Sequence, residues 1–257
     1  MLKYTLLLED FITSDDGTIL YRVKALKDFS DVKKGELGGY IKGFENLSHD
    51  GGCWVYSHLP FFGTPEISGN AVISGDAKIF NGAKIRGNAE ISGNAVISGD
   101  PEISGNAKIS GNAKIKDYAI IKGKAEISGN AVISDNAEIN GNAKVSYKSV
   151  VYEYAKISGN AKIKDYAIIK GNAEISGNAV ISGNAEIKGK AEIRENARIS
   201  GNAKIKQGVS IKGNAEISGN INISGDACVD GNFKVYWQRS NMQKIKTTCE
   251  IHGIEYE

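Results

Sequence analysis

From Cys53 to Val235 the chain keeps one six-residue period without a slip of phase, and nothing else in it constrains the fold as strongly. In the block Gly69-Asn70-Ala71-Val72-Ile73-Ser74 the third residue is small and the fifth is aliphatic. Ala or a close substitute then recurs every sixth place to Ala227, and Ile or Val follows two places later. Counting the small position from Cys53 to Phe233 gives 31 hexads. Period-two alternation turns the small and aliphatic side chains one way and their neighbours to water. A strand that short buries nothing alone. Gly-Asn supplies a corner, because Gly takes positive φ freely and Asn tolerates it. Three corners per circuit close a triangle, and successive circuits stack as parallel, in-register strands. The pattern therefore predicts an all-β parallel β-helix of about ten rungs, roughly 50 Å long at ~4.8 Å per rung. Regular Ile in every hexad argues against low-complexity disorder, which lacks such burial capacity.

Composition bounds the rest. Formal net charge is +2, so no global field draws the chain to nucleic acid or a membrane surface. No apolar run reaches the ~18 residues of a membrane span, and the run Leu6-Leu7-Leu8 is too short for a signal peptide. Cys53, Cys228 and Cys249 are an odd set without metal-type spacing. The reading is a cytoplasmic, reduced protein, or one found in host cytoplasm or a virion if phage-encoded. Cys53 and Cys228 lie about ten rungs apart in the predicted rod, too far for a disulfide.

Both ends depart from the repeat. Residues 1–52 read as a β-rich cap, with strands at Tyr4–Leu8 and Thr18–Val23 around the turn Ser14-Asp15-Asp16-Gly17. Residues 53–235 are the repeat, and 236–257 a C-terminal cap with a strand from Ile245 to Ile251. Such caps cover the open strand edges that a β-helix leaves at its ends.

The motif Ile-Ser-Gly-Asn-Ala resembles that of the left-handed β-helix hexapeptide family. The left hand is implied by that resemblance, since ordinary crossovers are right-handed. Leu37-Gly38-Gly39-Tyr40-Ile41, Asn46-Leu47-Ser48 and Gly52-Cys53-Trp54-Val55-Tyr56 resemble the N-terminal part of bacterial and prophage hexapeptide-repeat proteins. With the repeat phase, the likeness covers nearly the whole chain. Enterobacterial members carry the name acetyltransferase, a name that follows the shared rod and is not a site argument.

The resemblance implies a His general base near a subunit groove, often beside a loop that interrupts the coil. This chain has His49, His58 and His252 only, and none between 59 and 251. Its phase never breaks, so no loop is extruded. His58, beside Leu59-Pro60, is the one catalytic candidate; an exposed turn histidine explains it as well. The zinc-binding carbonic-anhydrase branch of the fold uses three clustered histidines, which are missing here, so neither metal nor cofactor is expected.

The outer faces offer three features. A Ser column from Ser74 to Ser218 is flanked by Glu90, Lys108, Glu126 and Lys144, whose alternating signs favour register. Lys170, Lys188 and Lys206 share a column beside Lys204, a basic stripe suited to an acidic or phosphate-rich partner or arising from a Lys-rich composition. Between 146 and 154 two Gly-Asn corners become Tyr147-Lys148 and Glu153-Tyr154, with Tyr152 between them and Tyr118 in the Tyr154 column. Exposed mid-rod tyrosines are typical contact residues. An ice-binding face would need Thr ladders, yet residues 65–246 contain no Thr. Residues 109–134 recur as 157–182 with only Lys124 replaced by Asn172. That offset of 48 is not a whole number of rungs, so the copied block faces another side.

Together these features favour a non-enzymatic rod that acts as a scaffold or protein-binding module, with Tyr118, Tyr147, Tyr152 and Tyr154 as partner-binding candidates. The alternatives are a trimeric hexapeptide acyltransferase using acyl-CoA and a phage inhibitor that binds a host protein. Partners are expected to be protein, not nucleic acid or membrane; trimers and end-to-end stacking are open.

Overall fold

A computed structural model describes residues 2–14, 16–56, 60–237 and 243–246, and these contain no helix. They belong to two compact units, Met1–Lys124 and Ala125–Glu257. In the first, β1 (Tyr4–Thr13), β2 (Ile19–Ala25) and β3 (Leu37–Ile41) form an antiparallel sheet in that order. β1 and β2 pair from Tyr4↔Ala25 to Thr13↔Ile19, with a register shift between Leu7 and Phe11. The turn forms where the sequence placed it: Ser14 N–H donates to Thr18 O at 2.9 Å, and Gly17 takes φ +82°.

Trp54–Val55 and, from Glu66 onward, each hexad to Lys234 contribute one short strand, and these strands pair with those 18 residues away. In the first unit the ladders run Trp54↔Val72↔Glu90↔Lys108, Glu66↔Lys84↔Glu102↔Ile120 and Lys78↔Val96↔Lys114. The second unit has three such ladders, one of them Val132↔Val150↔Ile168↔Glu186↔Lys204↔Asn222. Each unit is thus a three-sheet parallel β-solenoid. Thirty strands from Trp54–Val55 to Lys234–Trp237, three to a turn, make about ten turns.

The bonds explain the six-residue period. Asn70, Val72 and Ser74 each donate a backbone N–H to the next turn, reaching Gly87 O, Ala89 O and Ile91 O at 2.7, 2.9 and 2.9 Å. The Ala and Ile side chains between them are fully buried, as at Ala71, Ile73, Ala161 and Ile163. Each buried Ile contributes about 1.5–3 kcal/mol. Corner Gly residues carry the positive φ, +70° at Gly69, where a Cβ would also meet Gly87 O at 2.8 Å. The following Asn does not share it. Its work is lateral: Asn142, Asn160, Asn178, Asn196, Asn214 and Asn232 pass amide bonds of 2.9–3.0 Å from turn to turn.

The first turn begins before Cys53. Leu47 bridges Ile67, and Tyr40 of β3 bridges Pro60, so parallel pairing onto the solenoid already starts within and just after the cap sheet. At the far end Gln243–Lys246, expected to have left the repeat, pairs in parallel with Ile221–Ser224, 22 residues on (243 − 221) instead of the repeat's 18. The rest of the strand foreseen to Ile251 lies outside the described residues.

The open carbonyls of the first turn are met by side chains from β1 and its approach. Lys3, only 1% exposed, donates from Nζ to Cys53 O (2.9 Å), Gly51 O (3.3 Å) and Cys53 Sγ (3.2 Å). Tyr4 Oη donates to Leu47 O at 2.7 Å. These bonds stand in for the turn that does not exist below. Lys3→Met is therefore expected to strip those carbonyls of donors and destabilise the first unit by about 2 kcal/mol; a urea titration against the parent chain checks it.

Candidate interaction face

His49 is packed on Tyr4, with ring centroids 4.3 Å apart, and its Nδ1 accepts the Lys3 backbone N–H at 3.3 Å. It is part of the packing under the first turn. His58 and His252 lie outside the described residues. Among the described residues no group of three His, Cys, Asp or Glu is placed to hold a metal ion, and no helix is long and apolar enough to cross a membrane.

The second unit brings together two features that were separate in the sequence. Tyr152, Lys170, Lys188 and Lys206 are 18 residues apart, so the disturbed stretch and the basic stripe occupy one column of one sheet. Beside it runs the paired column Val132, Val150, Ile168, Glu186 and Lys204. Ile168 is 36% exposed. The neighbouring corner carries Tyr147 and Tyr166, 64% and 56% exposed, and the opposite corner Tyr154, 59% exposed. Tyr166 lacked a place among the sequence candidates; its 18-residue spacing from Lys148 could have found it. Tyr118 is exposed at a corner of the first unit.

The stripe is not a bare row of like charges. Glu186 Oε1 lies 3.3 Å from Lys170 Nζ and 3.6 Å from Lys188 Nζ. Partial burial pushes the Glu186 carboxyl up, but the bond from Lys170 and the charges of Lys188 and Lys204 outweigh it and hold the group below its ordinary range. Lys170 is raised, first by its bond to Tyr152 and then by Glu186. Its ammonium also sits 5.6 Å over the Tyr152 ring, as Lys148 sits 5.4 Å over Tyr166. Lys204 and Lys206 have no ion-pair partner among the described residues. The alternating pairs foreseen on another face do form, Lys108–Glu90 at 3.0 Å and Lys144–Glu126 at 2.7 Å.

Within the second unit, backbone geometry singles out Tyr147. Where a corner Gly is replaced, the substitute takes the left-handed conformation: φ is 57° at Asp135, 60° at Tyr147 and Glu153, 63° at Asp165 and Gln207, and 57° at Glu195. Most of these offset the strain by accepting the corner N–H of the following turn. Glu153 bonds Gly171 N–H (2.7 Å), Asp165 bonds Gly183 N–H (3.0 Å), and Glu195 and Gln207 do the same at Gly213 and Gly225. Tyr147 has no such acceptor, and its ring points into solvent. The Ala that should follow is Ser149, buried, with Oγ donating to Ser146 O at 2.7 Å.

No family model matches the chain. It is 39% identical over 77 residues to a protein of Escherichia coli strain K12 named "Uncharacterized acetyltransferase YdcK", a match over 27% of this chain and 24% of that protein. The chain thus aligns with about a quarter of the length of its curated relative. Repeat, three-sheet solenoid and match agree. The chain is a hexapeptide-repeat β-solenoid, similar over about a quarter of its length to a protein named as an acetyltransferase.

In this solenoid the described histidine answers to pH through the fold. Burial, then the Lys3 charge, lowers His49 below its ordinary value near 6.5. The unfolded chain then binds more protons than the folded one around and below pH 6.5, so stability rises with pH across that range. It is present in full above 6.5 and falls as pH drops through the folded value. His49→Phe, which keeps the stack on Tyr4, is expected to flatten the pH 7 to 5 portion of the first unit's stability profile, read by urea midpoints at each pH.

Proposed function

We propose that this chain is a non-catalytic binding module that holds a protein partner on the second unit's face around Tyr147, Tyr152, Tyr154 and Tyr166. The strained corner at Tyr147 carries the reading. A bulky residue in the left-handed region costs about 1–2 kcal/mol, Gly serves at the equivalent corners 129 and 183, and no hydrogen bond offsets the cost. A side chain retained there against the fold's preference, exposed on a face that also carries three other tyrosines, is what a contact surface would select. Replacing Tyr147 by Gly relieves that strain and loses about 0.5–1 kcal/mol to the greater entropy of the unfolded chain. Tyr147→Gly is therefore expected to raise stability by about 0.5–1 kcal/mol while weakening partner capture. A photo-crosslinking amino acid at Tyr166 of the full chain, irradiated in lysate, should give a discrete protein adduct that Ile168→Asp removes. Adducts indifferent to Ile168→Asp, or none at all, would overturn the reading.

A second reading, a coenzyme A-dependent acyltransferase, is favoured by the name of the matched Escherichia coli protein. Its base would be His58. Under the binding-module reading, calorimetry finds no acetyl-CoA binding up to about 1 mM, the top of the usual KM range. Micromolar binding together with acetyl transfer lost in His58→Ala would reverse the order of the two.

A further inference from the structure

We propose that the occupant of this face is an amphipathic helix of the partner protein, apolar in its N-terminal half and acidic in its C-terminal half. The inference rests on the reading of the face as a protein-binding surface and adds the partner's chemistry. Strand Val150–Val151 is paired on both sides, with Val132–Ile133 and Ile168–Ile169. No free edge is open at that point for strand addition, so recognition runs through side chains.

Those side chains are graded along the column. Val132, Val150 and Ile168 are three apolar residues on successive turns. The matching positions on the other two sheets of the unit are Glu126, Lys144 and Lys162, and Glu138, Lys156 and Glu174. Apolar residues at three successive outward positions are thus a property of this face. Past Ile168 the surface turns basic, through Lys188, Lys204 and Lys206, with Glu186 already held by Lys170 and Lys188.

Spacing selects a helix. Successive turns lie about 4.8 Å apart. Helical residues three or four apart have Cβ atoms about 5–6 Å apart, close to that interval. Same-face residues of an extended strand recur at about 6.6–6.8 Å and drift out of step within two turns. Four intervals from Val132 to Lys204 span about 19 Å, which a helix of about 13 residues covers at 1.5 Å each. Its negative C-terminal pole belongs over the lysines, which fixes the direction. A single-stranded nucleic acid fits less well, because ammonium groups already lie over the rings of Tyr152 and Tyr166 where bases would stack.

The test is fluorescence anisotropy of the full chain with a lactam-stapled peptide of about fourteen residues, Leu and Phe on one stripe of its first half and Glu on the same stripe of its second. Binding that weakens at least tenfold with Ile168→Asp, and again with Lys188→Glu plus Lys206→Glu, supports the proposal. A proline-interrupted isomer binding as tightly overturns the helix but leaves the protein-binding face intact. No binding by the stapled peptide also overturns the helix, and the crosslinking result then judges the face by itself. An oligothymidylate that binds at this face and displaces the peptide overturns both.

Discussion

The backbone bond from each turn to the next is the interaction on which the rest depends. Because Asn70 N–H finds Gly87 O and Val72 N–H finds Ala89 O, the described strands of each unit's solenoid are tied to counterparts 18 places on. Register is then fixed for all six positions of the hexad at once. A single inserted residue would carry Ile from the core to the surface, so the phase is held within each unit's ladders. The same rule makes columns of like residues. Amides stack into the Asn142–Asn232 series, glycines stack at corners too close for a Cβ, and charges alternate as Glu126–Lys144.

A fold so regular leaves its irregularities legible as departures from a lattice. At the first turn the lattice lacks a lower neighbour, and Lys3 and Tyr4 supply the missing donors to Gly51, Cys53 and Leu47. A buried ammonium without a carboxylate partner is costly unless its donors are satisfied; here two carbonyls and a thiol sulfur meet them. That is a closure rather than a binding site. The corner at Tyr147 is a departure of the other kind. Nothing in the lattice requires an aromatic there, and Glu153, one corner further on, shows how a substitute can repair its own strain through Gly171 N–H.

Period-based reasoning recovered what depends on period: the strands, the Ala/Ile core, the glycine corners and the charge pairs at Glu90–Lys108. Tyr147, Tyr152 and Tyr154 stand out in the sequence as departures from the repeat, and Lys170 as part of a basic stripe, but the two features look separate there. The spacing of 18 from Tyr152 to Lys170 was available in the sequence, and one subtraction would have joined them. Other parts were not available. That Glu186 lies between Lys170 and Lys188 requires side-chain positions, and so does the stacking of Asn amides, since Gly-Asn reads first as turn chemistry. The Lys3 contacts join residues about 50 positions apart with no repeat to announce them.

The direct duplication of 109–134 as 157–182 bears on which departures carry function. It sets near-identical hexads on different sheets, so the shared residues cannot be specific to a face. Tyr118 and Tyr166 are counterparts in that copying, as are Ile120 and Ile168. Only the second copy places them next to Tyr147, Tyr152 and Val150, which lie outside the duplicated block, and turns Tyr166 toward Lys148. The face is therefore assembled from a generic repeat and one unique stretch, 146–154. Specificity follows from the unique stretch, because the copied residues alone occur twice in the chain and only once in that company.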